Sequence, residues 1–373
     1  MIVNFFGDFV ARSPNIISID PKINDILKNA QYNVVNFEAP VRSLGNVAHK
    51  SGPSICQSVD SPEWLKRNHF NLICLANNHI FDYGLEGFRK TVKKFANIPS
   101  IGAGMWNEAY KPIILEDENI KLAVFSMTEL QFGVLHDKWS QNNTVGCAWI
   151  NHHSVNDIIK NIKQHVDYVI MVSHAGLEDV DIPLPEWRDR YRYLIDCGCD
   201  AIIGGHTHVA QGYELYKERP IFYSLGNFCF AKIFKINQDF WNIGECVSLE
   251  FKKDRSLKFI VYGTLYEGNC LKLINPETWK KMLQCLNDKL CDNVYMQNVD
   301  KICLGKRNDY KQLFNMSGFI HADKNLIKNI LRYVLGKCNK LHLLNNIRCE
   351  SHRWCISRII ENEMRDERKN KKK

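Results

Sequence analysis

The chain has 373 residues, 45% of them hydrophobic and 24% charged, with a formal net charge of +8. That is the mix of an ordinary folded protein, and no stretch approaches the run of about twenty apolar residues that a membrane helix needs. From Asn275 onward there are 21 Lys+Arg against 11 Asp+Glu, so the tail carries +10 and the first 274 residues carry 8 − 10 = −2, an asymmetry that predicts separate organisation of the C-terminal part.

In chain order, Met1 to Phe6 reads directly as a strand (Ile2, Val3, Phe5, Phe6) running into Gly7-Asp8. It lacks the basic start, apolar stretch and cleavage site of a signal peptide, so the expectation is a cytoplasmic protein. To about residue 270, short apolar runs alternate with amphipathic stretches, the rhythm of an α/β domain. Strands are predicted over 2–6, 33–37, 71–76, 121–126, 168–172 and 201–203, and helices over 21–29, 84–96, 154–165 and 185–197. Beyond Gly212 the character turns to β, with runs at 213–216, 220–223, 245–251 and 257–266. These predict a second sheet packed against the first. After Asn275-Pro276 the strands stop, and apolar spacing of three and four predicts helices over 278–290, 325–335 and 352–365. The residues from Arg365 to Lys373 are expected to fray. The chain thus divides into a domain over 1–270 and a helical, basic region over 275–373.

Fourteen cysteines include no CxxC pair, and most lie in apolar stretches such as Leu72-Ile73-Cys74-Leu75. Buried reduced thiols explain this better than disulfides or a zinc site. Cys197-Gly198-Cys199, the one close pair, sits where a helix turns into a strand. Gly102-Ala103-Gly104 lacks the third glycine of a dinucleotide loop, and Leu304-Gly305-Lys306-Arg307 lacks the upstream glycine of a P-loop. Asn142-Asn143-Thr144 fits a glycosylation acceptor but carries little weight without a secretion signal.

The polar residues that carry chemistry stand at strand ends. Asp8 follows the first strand and Glu38 the second; Asn77, Asn78 and His79 follow the third; His174 follows 168–172; His206 and His208 follow 201–203. The carboxyl edge of an α/β sheet is where ligands bind. Carboxylates, imidazoles and an amide oxygen suit two divalent ions, with Mn, Fe and Zn served comparably. Two such ions activate water near neutral pH and clamp attacking and leaving oxygens. His206-Thr207-His208 is expected to be extended, so that residues two apart share a face, with Gly204 and Gly205 making a tight turn before it. Each piece alone has a bland reading: Gly-Asp as a turn, Asn-Asn-His as a cap, a lone histidine as a satisfied core residue. Five strand ends in one chain decide for a metal site.

The ordered set Gly7-Asp8, Asn36-Phe37-Glu38, Asn77-Asn78-His79-Ile80-Phe81-Asp82-Tyr83-Gly84, His174-Ala175-Gly176, Gly205-His206-Thr207-His208-Val209 and Ser224-Leu225-Gly226-Asn227-Phe228 resembles the CapA family over residues 1 to about 265. These are poly-γ-glutamate capsule biosynthesis proteins, with a fold similar to that of calcineurin-like metallophosphoesterases. The resemblance implies a four-layer α/β/β/α sandwich with a small helical C-terminal extension. It implies that Asp8 and His208 bind one metal, that Asn78, His174 and His206 bind the other, and that Glu38 bridges them. His79 would stabilise or protonate the leaving oxygen, with Asp82 orienting its ring. Asn36, Asn77, Glu178 and Asn227 are the candidates for substrate contacts.

This sequence departs from the metallophosphoesterase pattern at Val10, where Asp-x-His would place a histidine. Ala175 stands where the family often has tryptophan, and the membrane anchor common among capsule proteins is not visible. The reading is a dinuclear-metal hydrolase acting on a phosphoester or on a γ-glutamyl or other amide-type bond, with an anionic polymer or small molecule as partner. The rivals are a non-catalytic accessory protein with a vestigial metal site, and a protein that binds an anionic polymer through its basic C-terminal region. Nucleic acid is disfavoured, because the basic and aromatic residues of the C-terminal helices (Tyr333, Trp354) read as a solvated helical face.

Overall fold

The computed structural model describes residues 1–43, 45–117, 119–135, 144–230, 240–310 and 340–370. Its first strand, β1 (Ile2–Val10), is followed by β2 (Ser18–Ile19), helix α1 (Pro21–Lys28), β3 (Tyr32–Phe37), α2 (Ser61–Arg67), β4 (Leu72–Cys74) and α3 (Gly84–Lys94). Then come β5 (Ser100–Ile101), β6 (Ala103–Gly104), α4 (Trp106–Ala109), β7 (Ile113–Glu116), β8 (Lys121–Thr128) and β9 (Gly146–Cys147). The middle of the chain forms α5 (Val155–Lys163), β10 (Tyr168–His174), α6 (Pro185–Asp196) and β11 (Ala201–Gly205). Six strands follow: β12 (Tyr213–Tyr216), β13 (Arg219–Phe222), β14 (Asn227–Phe230), β15 (Ile243–Phe251), β16 (Leu257–Glu267) and β17 (Cys270–Leu273). The C-terminal part is helical: α7 (Pro276–Asp288), α8 (Asp292–Gly305), α9 (Lys340–Arg348) and α10 (Glu350–Asn370).

Two sheets stack face to face with helices outside. One runs β2-β17-β16-β15-β1-β3-β4-β5, with β14 also paired to β1; the other runs β12-β13-β11-β10-β8-β7. The alternation of strand side chains builds the layers. Val3, Phe5, Val34 and Leu72 from the first sheet meet Leu122, Val124, Tyr168, Ile170 and Ile203 from the second in the central core. The intervening positions of the second sheet, Ala123, Phe125, Val169, Met171 and Ile202, turn outward onto Val155 and Ile159 of α5 and Trp187, Tyr191 and Leu194 of α6. On the far side, Val35, Phe37 and Ile73 pack on α1, α2 and α3. The C-terminal helices join the outer layer, since Tyr295, Val299 and Cys303 of α8 and Cys355, Ile356 and Ile359 of α10 lie in the same cluster as Trp187.

Two expectations need correction. The late strands do not make a sheet of their own: β12 and β13 extend the β8–β10–β11 sheet, while β15 to β17 extend the sheet of β1. Both sheets therefore draw on early and late chain, because an antiparallel partner can come from any sequence distance and local pattern does not name it. The C-terminal tail does not fray from Arg365; α10 continues to Asn370, where the acidic and basic residues of 361–369 suit a solvated helix. The helix expected over 325–335 lies outside the described residues, as do Tyr333, Asn142 and Asn143. Sequence patterns also missed α8 and α9. No described helix is long and apolar enough to cross a membrane, and the thirteen described cysteines are free thiols.

The join that matters for the site is at Gly7. Residues 2–6 of β1 pair antiparallel with β15, whereas Asp8 to Val10 pair parallel with β14. The change of neighbour shifts the register at Asp8, and the Asp8 amide donates to the Gly226 carbonyl at 3.0 Å. A Cβ on residue 7 would stand 2.0 Å from that carbonyl oxygen. Gly7→Ala is therefore expected to part β1 from β14 and to cost about 1–3 kcal/mol, the usual toll of forced overpacking. A thermal melt unchanged from wild type would contradict this account of the bulge.

Candidate metal centre

The carboxyl ends of β1, β3, β10 and β11 converge between the two sheets, and each delivers a polar side chain there. Asp8 sits in the β1 bulge, Glu38 directly follows β3, His174 is the last residue of β10, and His206 directly follows β11. The parallel register of β10 with β11 pairs His174 with Gly205, which sets the two histidines side by side. Their rings are 4.6 Å apart, with His206 Nδ1 3.0 Å from His174 Nε2.

His206-Thr207-His208 is not extended, contrary to expectation. His206 and His208 both have left-handed backbones, with φ of +83° and +61°. Non-glycine residues hold such angles only where the surroundings impose them, and such positions cluster at functional sites. Two left-handed bends, rather than strand alternation, turn both rings inward. Nor do the preceding glycines form a turn. Gly204 and Gly205 finish β11, and a Cβ at Gly204 would lie 1.9 Å from the Tyr223 carbonyl oxygen.

Two groups of ligand-capable atoms result, each within 4.8 Å: Glu38, His174 and His206 in one, and Asp8, Glu38 and His208 in the other. Glu38 belongs to both. Asn78 adds its amide oxygen 3.0 Å from His174 Nε2. The Glu38 carboxylate is fully buried and receives no hydrogen bond among the described residues. Its Oε1 lies 3.5 Å from His174 Nε2 and 3.6 Å from His208 Nε2. Leaving a buried carboxylate uncompensated costs several kcal/mol. Divalent cations held by this donor set would add to the charge that His208 sets beside Glu38, and the oxygen and imidazole donors fit Mn, Fe or Zn.

The remaining sequence candidates fall into two groups. His79 and Glu178 line the cavity in front of the donors, and Asp82 is buried behind His79. His79 Nδ1 is 2.6 Å from Asp82 Oδ2, and Asp82 also forms an ion pair with Lys50. Burial raises the Asp82 carboxyl, but His79 and Lys50 outweigh it and hold it below its ordinary value. Asn36, Asn77 and Asn227 stand behind the donors. Asn36 donates to Asp8 Oδ1 at 2.7 Å and accepts from Asn77. Asn77 Oδ1 accepts from the amides of His79 and Ile80. Asn227 Oδ1 lies 3.0 Å from His208 Nδ1, while its amide group donates to the His208 and Trp241 carbonyls. None of the three lines the cavity in front of the donors.

That cavity has a volume of about 320 Å³ and includes Lys50, Asn78, His79, Glu178 and His208 in its wall, a size typical of small-molecule sites. Phe132, Phe230 and Trp241 supply apolar wall, and His342, Asn345 and His352 of the C-terminal helices complete it. Sequence reading missed Lys50, which sits in an irregular loop with no strand-end signal. It also missed Glu129, which directly follows β8 and lies 3.3 Å from His206 Nε2. The strand-end rule that found the other donors would have found Glu129, had β8 been read two residues longer.

The profile described as "Bacterial capsule synthesis protein PGA_cap" matches residues 11–232. The chain belongs to this family. The match contains Glu38, Asn78, His174, His206 and His208, and begins three residues after Asp8. The chain is 33% identical over 218 residues to the PGA biosynthesis protein CapA of Bacillus subtilis, covering 57% of this chain and 57% of that protein. It is 29% identical over 237 residues to the capsule biosynthesis protein CapA of Bacillus anthracis, covering 61% and 56%. The matches thus span little more than half of those relatives' own length. Among solved structures, a 5'-nucleotidase from Candida albicans is similar at a TM-score of 0.42 and 14% identity, covering 71% of this chain and 52% of that one.

Charge balance in this PGA_cap-family site follows from burial. Burial pushes Asp8 up to about 7, with Glu38 adding to the rise, and burial raises Glu38 as well. Burial pulls His174 down to about 4 and His206 well below the ordinary histidine value. Burial also opposes protonation of His208, but Glu38, Asp8 and Glu178 outweigh it and push that ring up to about 9. A cation entering the centre must therefore displace protons from Asp8 and His208. Mn²⁺ affinity is expected to rise between about pH 6 and about pH 9, with proton release on binding. Calorimetric titrations in buffers of different ionisation enthalpy would read both, and a pH-independent affinity without proton release would contradict the assignment.

Proposed function

We propose that this chain is a metal-dependent hydrolase that cleaves a phosphoester or a γ-glutamyl or other amide-type bond in the service of poly-γ-glutamate capsule synthesis. The observation that carries the reading is the Glu38 carboxylate, buried without a hydrogen-bond donor among the described residues and shared by two groups of ligand-capable side chains. Membership of a capsule-synthesis family supplies the biological setting.

Asp8, Glu38 and His208 would hold one ion, and Glu38, Asn78, His174 and His206 the other. Bound divalent ions supply an activated water near neutral pH and neutralise charge on the scissile group. The chain's own groups do the rest. Asn36 fixes Asp8 and Asn227 fixes His208, so that the donors keep their orientation while substrate exchanges. Lys50 and His79 stand at the cavity wall, where the Lys50 ammonium would meet an anionic substrate. Asp82 holds the Nδ1 side of His79, which leaves Nε2 to carry a proton to the departing oxygen or nitrogen. The apolar wall of Phe132, Phe230 and Trp241 limits water around the reacting bond.

Metal content by mass spectrometry tests the reading, beside an Asp8→Ala, His206→Ala double variant. About two ions per wild-type chain, lost in the double variant together with hydrolysis of phosphoesters or γ-glutamyl peptides, is the expected result. A wild-type chain that takes up no Mn, Fe or Zn would overturn the proposal and favour the accessory role. His79→Gln separates chemistry from metal holding. It is expected to lower kcat about 10²–10⁴-fold, the usual worth of a general acid, with metal content unchanged; a kcat equal to wild type would remove His79 from the mechanism.

A further inference from the structure

The C-terminal helical segment lies beyond the matched region, which ends at residue 232, yet it reaches the back of the metal centre. Three consecutive residues where α10 begins, Cys349, Glu350 and Ser351, are all buried. Glu350 is plugged onto the chain after β8, where it accepts from the Leu130 amide at 2.9 Å, from Asn151 at 2.8 Å and from Trp149 Nε1 at 3.1 Å. Its neighbours converge on one carboxylate oxygen. Glu129 Oε2 accepts from the Ser351 hydroxyl at 2.7 Å, from the Ser351 amide at 3.1 Å and from the Cys349 thiol at 3.3 Å. Ser351 is itself fixed, because its hydroxyl oxygen accepts from Trp187 Nε1 at 2.8 Å.

The other oxygen of Glu129 faces the opposite way. Oε1 lies 3.3 Å from His206 Nε2 and accepts from the Gly176 amide. The backbone amide of Glu129 donates to the His174 carbonyl. One buried carboxylate thus has α10 on one oxygen and a metal-ligand candidate on the other. His206 Nδ1 points at His174 and the first ligand group, so Nε2 is the nitrogen left for an orienting partner. A carboxylate behind a ligating imidazole fixes its tautomer and raises its basicity, and loss of such partners typically costs about 10–100-fold in metal affinity.

We propose that Glu129 is a positioning residue for His206, and that Cys349 and Ser351, by fixing Glu129, make the C-terminal helical segment an outer part of the metal centre. The inference rests on the reading of His206 as a metal ligand. Full-length wild type, Glu129→Gln, Ser351→Ala and Ser351→Thr are compared by Mn²⁺ titration, by histidine ring ¹⁵N NMR without metal, and by thermal melting in EDTA. Glu129→Gln is expected to weaken one of two ions about 10–100-fold and leave the other in place. Ser351→Ala is expected to act in the same direction, and Ser351→Thr, which keeps the hydroxyl, to restore wild-type affinity. Wild-type affinity for both ions in Glu129→Gln and Ser351→Ala would overturn the proposal. So would equal weakening of both ions in step with a lowered melting temperature, which marks a merely structural role. If the wild-type chain binds no ion, the hydrolase reading fails, and the metal-free NMR still decides the positioning. A changed His206 ring shift in Glu129→Gln supports it, and an unchanged shift overturns it.

Discussion

The structure turns on one buried carboxylate that receives no hydrogen bond among the described residues. Glu38 lies between two sheets, out of water, with Asp8 and three imidazoles around it. Taking a carboxylate out of water without pairing it is among the costliest things a fold can do. Without a cation, burial raises the Asp8 and Glu38 carboxyls above their ordinary values, and the two carboxylates hold the His208 ring above its own. The donor set is compatible with a divalent cation, whose charge would replace the proton that Glu38 and Asp8 favour on His208.

Holding that arrangement requires backbone that a regular sheet cannot supply. β1 exchanges one neighbour for another at Gly7, and the exchange directs Asp8 toward the sheet edge. His206 and His208 are bent into left-handed conformations, which cost free energy and persist only because the surrounding packing overdetermines them. Around them a shell of neutral amides, Asn36, Asn77 and Asn227, satisfies side-chain and backbone groups without adding charge. The asparagines are scaffolding for the donors, and the cavity wall is drawn from elsewhere.

Much of this was legible in the sequence, for a local reason. Each of the five donor strands is marked by its own apolar run, and a polar residue just past such a run lies at the sheet edge whatever the tertiary fold, so Asp8, Glu38, Asn78, His174, His206 and His208 could be read one strand at a time. What local pattern does not encode is partner choice. Nothing near residue 245 states that β15 pairs with β1, and nothing near residue 50 states that Lys50 reaches Asp82. The same limit hid Ser351, whose contact with Glu129 spans 222 residues. The conformation of His206-Thr207-His208 was misread because alternation describes strands, and this segment is held by contacts outside itself.

The placement of β1 also sets an order of events during synthesis. Strand β1 is a central one, flanked by β3 on one side and by β14 and β15 on the other. While the chain emerges from the ribosome, Asp8 waits for residues near 227 to hold its bulge, and for residues near 250 to close the sheet. Pairings of such long sequence separation form late. Until the residues near 227 and 250 have paired with β1, the candidate donors from Asp8 onward therefore lack the bulge and the sheet edge that gather them.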